Sequence, residues 1–341
     1  MTNEMFEQKP NLFSDNDSIN ELARESIEHI SKVYPIYVMF HYHNGETLTK
    51  DQTDYLDMLS DLVSMYDLDI TLVINEQDAQ IVHDYDDSNY FKYLVHSCYD
   101  SKDELSNNIS KIKNFILKSA ASRFGNKNIS CIYLIEEGIK FYRKQTTKYL
   151  ECRTAVDLIT FLSIWQYLST KKIYSYINDE NDIGMTGVCN ILDCDKYTYP
   201  VIDKYICSGA MLVNLSECNR KHIEFDLMND VIEDVDLNVN MFANGLHVVA
   251  IPTPLGIENT FKEYRSNRKL SNLALNLWVK WGDKVVQNLV VENNQIKPKF
   301  AADFTGIVSE FNSSSRHRMY WPKNENLLKE YMSQKKRMHQ N

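Results

Sequence analysis

The feature that most narrows what this chain can fold into is an alternation in its first 140 residues. Four runs rich in β-branched, aliphatic and aromatic residues have strand length: 34–40, 68–74, 91–96 and 129–135. Between them lie two segments with apolar residues at three- and four-residue steps. In 49–65 these are Tyr55, Leu59, Leu62 and Val63; in 106–124 they are Ile109, Ile112, Ile116 and Ala120, with Gly125 placed to end the helix. Strand and helix in turn predict an α/β fold: a mostly parallel central sheet with helices on both faces.

The second half is less regular. Helices are predicted over 155–170, 233–243, 266–280 and 326–337, and a strand over 246–251. Segments 182–188 and 205–215 bracket a loop holding Asp193 and Asp195. The expected organisation is a lead-in over 1–30, one α/β domain over 31–290 and a basic extension over 291–341. With only 10 Gly and 7 Pro, a long disordered linker is not expected.

Charge is uneven. The 80 residues from Lys262 onward carry 15 Lys and Arg against 7 Asp and Glu, so the net −10 of the whole chain leaves −18 on the rest. A basic surface on an acidic body suits phosphate contacts, and equally a solvated helical tail. In that tail Tyr320 and Trp321 stand near Arg316, His317 and Arg318. This mixture suits stacking on nucleic-acid bases, and also ordinary packing. Apolar runs stop at strand length, short of the roughly 20 residues that span a bilayer. The polar, acidic start lacks the pattern of a signal peptide. Seven cysteines without regular spacing, Cys189 and Cys194 among them, fit no common zinc pattern. A reducing, cytoplasmic setting is the expectation, with no membrane partner.

In open α/β sheets, ligands sit outside the carboxyl ends of the strands. Glu76 follows the second strand and Glu136-Glu137 the fourth. Paired carboxylates there suit Mg²⁺ or Mn²⁺, which take oxygen ligands, and they also suit plain solvation. Glu233-Asp234-Val235-Asp236 opens a predicted helix, where unpaired N–H groups favour acids. A carboxylate held there can also act as a general base on a hydroxyl. His41 and His43 share a strand face but lack further ligands for a transition metal. His247 reads as a core or edge histidine.

The segment from Glu233 through Leu237-Asn238-Val239-Asn240-Met241-Phe242-Ala243-Asn244-Gly245 to Val249 resembles a motif of GT-A glycosyltransferases. There, Glu-Asp-x-Asp opens a helix that ends at Gly before a strand. The preceding Tyr205-Ile206-Cys207-Ser208-Gly209-Ala210-Met211-Leu212-Val213 resembles the acceptor-side strand of that fold. More narrowly, the arrangement resembles the TET-associated and bacteriophage DNA-base glycosyltransferases. Strand 34–40, Thr53, Lys113-Asn114, the strand ending in Glu136-Glu137-Gly138, and the stretches 259–265 and 278–285 carry that resemblance.

The resemblance implies a GT-A-like sheet and transfer of a sugar, glucose or arabinose for example, from a nucleotide-sugar such as a UDP-sugar. The implied acceptor is a hydroxymethylated pyrimidine in phage-type DNA; a protein or polysaccharide acceptor, or a decayed binding module, are the alternatives. Phe40, His43, Glu76, Lys113 and Asn114 would line the donor. Glu136 and Glu137 would hold Mn²⁺ or Mg²⁺, and Asp234 would be the base of an inverting enzyme, flanked by Glu233 and Asp236. Ser208, Gly209 and Arg265 would meet the acceptor. The chain departs from the group in three places. Glu136-Glu137-Gly138 replaces Asp-Asp-Asn, which puts tight octahedral metal geometry in question. Lys113 replaces an Arg, giving a point charge for a planar fork. The usual Arg after the first strand is missing, with His41, His43 and Asn44 in its place.

Overall fold

The apolar runs become strands and the periodic segments helices. The computed structural model describes residues 16–40, 47–76, 78–86, 88–97, 109–124, 129–145, 148–173, 183–194, 202–203, 205, 207–225, 233–259, 286–292 and 295–300. His41, His43, Asn44, Arg265, the expected helices at 266–280 and 326–337 and the aromatic-basic tail lie outside them.

The chain runs α1 (Asn16–His29), β1 (Ile36–Met39), α2 (Lys50–Tyr66), β2 (Ile70–Asn75), α3 (Ala79–Tyr85), β3 (Lys92–His96), α4 (Ile109–Phe124) and β4 (Cys131–Glu136). It continues through β5 (Ile139–Gln145), β6 (Lys148–Glu151), α5 (Ala155–Tyr167), β7 (Ile183–Val188), α6 (Ile191–Cys194), β8 (Ile202–Asp203) and β9 (Ala210–Asn214). Then come α7 (Leu215–Lys221), α8 (Glu233–Ala243), β10 (His247–Ile251), β11 (Leu255–Asn259) and the antiparallel pair β12 (Val286–Glu292) and β13 (Gln295–Phe300).

Eight strands form the central sheet in the order β3-β2-β1-β4-β9-β7-β10-β8. The strands β3, β2, β1 and β4 are parallel. β9 lies antiparallel between β4 and β7, β10 is parallel to β7, and β8 closes the edge antiparallel. The fold is mixed α/β with a mostly parallel sheet, as the alternation predicts; β8 and β9 run against the rest.

Strand geometry sends alternate side chains to opposite faces. In the first strand, Ile36, Val38 and Phe40 join the core under α2 and α5, with Leu56, Leu59, Leu62, Phe161 and Trp165. Tyr37 and Met39 join the other core, under α4 and α8, with Ile112, Ile116, Leu237 and Met241. Each buried aliphatic side chain contributes about 1.5–3 kcal/mol. Helix α5 is buried nearly all round, so it is apolar on every side. The indole N–H of its Trp165 donates to Thr186 Oγ1 at 3.2 Å. The start of α2 is set by a capping box: Thr49 Oγ1 accepts from the Gln52 N–H at 3.3 Å, and Gln52 Oε1 accepts from the Thr49 N–H at 3.0 Å. Its end is set by Asp67 in the left-handed region, φ 51°.

A second, antiparallel sheet of β11, β5 and β6 was not foreseen from sequence. The chain enters it from β4 through Gly138, at φ 82°. Glycine adopts that conformation without strain, and asparagine, the residue of the resembled motif, is the next most tolerant. Helix α1 packs on α5, where Tyr167 Oη donates to Glu25 Oε2 at 3.0 Å.

The order 3-2-1-4 places a topological switch between β1 and β4: the chain steps outward through β2 and β3, then returns to the other side of β1. The carboxyl ends of those two strands mark the place where open α/β sheets take a ligand.

Candidate active site

Glu136 closes β4 at this switch, and the backbone around it is tied on both sides. Its N–H donates to Gly209 O at 2.8 Å, and the next N–H, of Glu137, donates to Met39 O at 2.9 Å. Gly209 sits at φ 73°, just before β9, so its carbonyl faces the β4 end. Three elements remote in sequence thus meet: the ends of β1 and β4 and the entry to β9.

Lys113 comes to this point from α4. Its side chain is fully buried, yet Nζ lies 2.7 Å from Glu136 Oε1 and 2.6 Å from Asp234 Oδ1. The two carboxylate side chains are 16% and 12% exposed, so they reach the surface that the ammonium does not. Acids at positions 136 and 234 therefore converge, with the lysine between them. The ring of Phe225 lies 5.4 Å from Nζ, adding a cation–π contact. Phe225 is held by the neighbouring Asn114: Asn114 Nδ2 donates to Phe225 O, and the Phe225 N–H donates to Asn114 Oδ1, both at 2.8 Å. Consecutive residues of α4 thus fix one cation and one aromatic wall.

Asp234 lies in the first turn of α8, where the unpaired N–H groups favour negative charge. One turn on, Asn238 is buried and bridges three groups. Its Nδ2 donates to Asp234 O at 2.5 Å and to Cys207 O at 3.0 Å, while Oδ1 accepts from the Cys207 N–H at 2.9 Å. The segment Cys207-Ser208-Gly209 is thereby clamped to the helix that carries Asp234. Ser208 is exposed beside it. Asp236 is wholly buried, and the Glu233 side chain lies outside the described residues.

Glu137 goes elsewhere. Its Oε1 accepts from Gln52 Nε2 on α2 at 2.7 Å. Tyr55, a turn further along α2, has its hydroxyl pKa pushed up by burial first and by the Glu137 charge second. Successive side chains at a strand end point to opposite faces, so Glu136 turns toward α4 and α8 while Glu137 turns toward α2. Glu76 is exposed after β2, with its N–H on His96 O at 2.8 Å. Phe40 is core, and His247 starts β10 half-buried. His43 and Arg265 are outside the described residues. Gln52, Phe225 and Asn238 were not singled out from sequence. Asn238 stood four residues after Asp234 on a predicted helix, hence on the same face, and Gln52 stood at the third position after Thr49, a capping-box signal. Nothing in the sequence pointed to Phe225.

The Glu136-Glu137 pair does not fit a resident divalent ion, because the two carboxylates have different partners on different faces. Nor does the space between Glu136 and Asp234, where the ammonium already stands. A divalent ion about 4 Å from an ammonium is repelled by roughly 8 kcal/mol at an effective dielectric constant near 20. Among the described residues no group of three or more His, Cys, Asp or Glu side chains is gathered to hold a metal. None of the helices described is long and apolar enough to cross a membrane.

No protein-family model matches the sequence, and no curated protein matches it. Among solved structures the chain is similar to a fragment of S. aureus TarS, residues 1–349, in complex with UDP. That match has a TM-score of 0.38 and 12% identity, and covers 83% of this chain and 73% of that one. A longer S. aureus TarS structure gives 0.36 and 11%, covering 72% of this chain and 40% of that one. A mannose-1-phosphate geranyltransferase from Thermus thermophilus gives 0.28 and 8%, covering 71% and 79%. Likenesses this distant assign no activity to the chain.

Proposed function

We propose that the protein is a GT-A-like glycosyltransferase. It moves a sugar from a nucleotide-sugar, a UDP-sugar in the first instance, to a hydroxyl acceptor. The observation that carries this reading is the meeting of Lys113, Glu136 and Asp234 at the switch between β1 and β4. Sugar transfer from a diphosphate needs positive charge near the leaving group and a carboxylate to take the proton of the attacking hydroxyl. This site has an ammonium and two partly exposed carboxylates at the crevice where such sheets take ligands. In this reading Asp234 receives the acceptor proton, and Lys113 and Asn238 fix its position. Ser208 and Gly209 line the acceptor side, and Glu76 lies toward the nucleotide base.

For the acceptor we propose 5-hydroxymethylpyrimidine in DNA. What supports it is the sequence resemblance and the basic surplus after Lys262. The test is turnover of UDP-glucose and UDP-arabinose with DNA containing hydroxymethylcytosine or hydroxymethyluracil, at two salt concentrations. A DNA acceptor gives an affinity that falls steeply with salt. Asp234→Asn is expected to cut turnover by about 10²–10⁴, the usual worth of a general base. Absence of binding to every sugar nucleotide tried refutes the glycosyltransferase reading. Turnover that ignores DNA and salt moves the acceptor to a protein or polysaccharide.

A further inference from the structure

We propose that Lys113 is the resident cation of this site, occupying the place between Glu136 and Asp234 that a divalent ion would need, so that the site binds its donor without metal. The inference deepens the reading above and rests on it for the donor, but not for the cation.

Three observations carry it. The ammonium is fully buried and lies 2.7 and 2.6 Å from carboxylates on two different elements, β4 and α8. It is not free to swing out, because the Phe225 ring covers it at 5.4 Å and Asn114 pins the Phe225 backbone from the same helix. The remaining acid at the strand end, Glu137, accepts from Gln52 Nε2 of α2 at 2.7 Å, on the other face of the strand from Lys113. Lysine suits this role: a compact charge can hydrogen-bond one carboxylate, Asp234, and ion-pair with a second, Glu136, at once. A buried charge is also screened less than a solvated one, so the ammonium offsets the carboxylates strongly where a divalent ion would otherwise do so.

The experiment uses the full chain and Mn²⁺ alone. Free Mn²⁺ is followed by its paramagnetic resonance signal during titration of wild type, Lys113→Ala and Lys113→Ala/Asp234→Asn. Wild type is expected to leave the signal unchanged up to about 1 mM, whereas K113A, with two carboxylates facing a vacated space, takes up one ion per chain. The double variant loses that ion again. UDP affinity measured by calorimetry in EDTA and in 1 mM Mn²⁺ is expected to agree within about twofold for wild type. One Mn²⁺ per wild-type chain that Glu136→Gln abolishes overturns the inference, as does a tenfold loss of UDP affinity in EDTA. A folded K113A that takes up no Mn²⁺ overturns it too. Should K113A not fold, the wild-type titration decides. Failure of UDP to bind under either condition counts against the glycosyltransferase reading and leaves the Mn²⁺ result to judge the cation.

Discussion

Replacing Lys113 with methionine keeps most of the side-chain volume and removes the charge. In the wild type the ammonium is fully buried and the Glu136 and Asp234 side chains are 16% and 12% exposed. Without it, two carboxylates that each lie within 2.7 Å of its position are left facing each other with little water. Removing one partner from a buried pair costs about 3–5 kcal/mol, mostly because the other charge is left uncompensated. For a domain of this size that is a fall in Tm of roughly 6–10 °C, at about 2 °C per kcal/mol. The sign with pH follows from like-charge repulsion, which favours the protonated carboxyl in the folded variant. The deficit is therefore largest at pH 7–8 and shrinks toward pH 5, as one of the two acids takes a proton. Thermal and urea melts of wild type, K113M and K113M/D234N at pH 5 and 7.5 measure it. The double variant is expected to recover about half the loss at pH 7.5. A K113M protein within about 1 kcal/mol of wild type at pH 7.5 refutes the geometry on which the site depends.

Three further outcomes are expected. His96, at the end of β3, has its pKa lowered to about 4 by burial; its stabilising effect is therefore complete above the unfolded value of 6.5 and lost as pH falls toward 4. After allowance for solvent at this edge strand the change is about 2 kcal/mol, and His96→Gln is expected to flatten that part of the pH–stability curve. A Cβ on Gly187 would stand 2.4 Å from Cys207 Sγ and 2.7 Å from Cys207 Cβ; Gly187→Ala is expected to cost about 1–3 kcal/mol in urea melts, and Cys207→Ala in the same chain to relieve only part of it, because the Cβ contact stays. Thr49→Ala breaks the capping box of α2 and is expected to cost about 1 kcal/mol while leaving UDP affinity unchanged.

How much of this was legible in the sequence depends on the range of the interaction involved. The strands at 36–39, 70–75 and 131–136 were readable because strands buried on both faces are nearly continuous apolar runs; 92–96, a half-exposed edge strand, was readable from its β-branched and aromatic content. The reversal of β9 was not, because an apolar run carries no direction, and short strands such as Lys148–Glu151 alternate too briefly to stand out. Acids at a strand end and a helix start marked Glu136 and Asp234. That Glu136 and Glu137 would part company was also readable, since neighbours on a strand face opposite ways. The position of Lys113 between two acids, 23 residues before one and 121 before the other, needed the packing of α4 against β4 and α8, which no local pattern encodes.

Stability alone does not account for such a triad. Desolvating an ammonium and two carboxylates costs several kcal/mol per ion, and apolar residues of the same volume generally hold a core as well or better. The surroundings here are organised to keep the charges in place. Asn114 fixes the wall beside the ammonium, Asn238 fixes the backbone of Asp234 and the entry to β9, and Gly209 fixes the backbone of Glu136. These hydrogen bonds hold the ion-bearing groups at the one place in the sheet where the chain order reverses. The cation is on the inside and the carboxylate edges are on the outside, so hydrogen-bond acceptors face the crevice while the compensating positive charge stays in reach behind them. A ligand rich in hydroxyl groups matches that layering, because its hydroxyls can donate to the carboxylates.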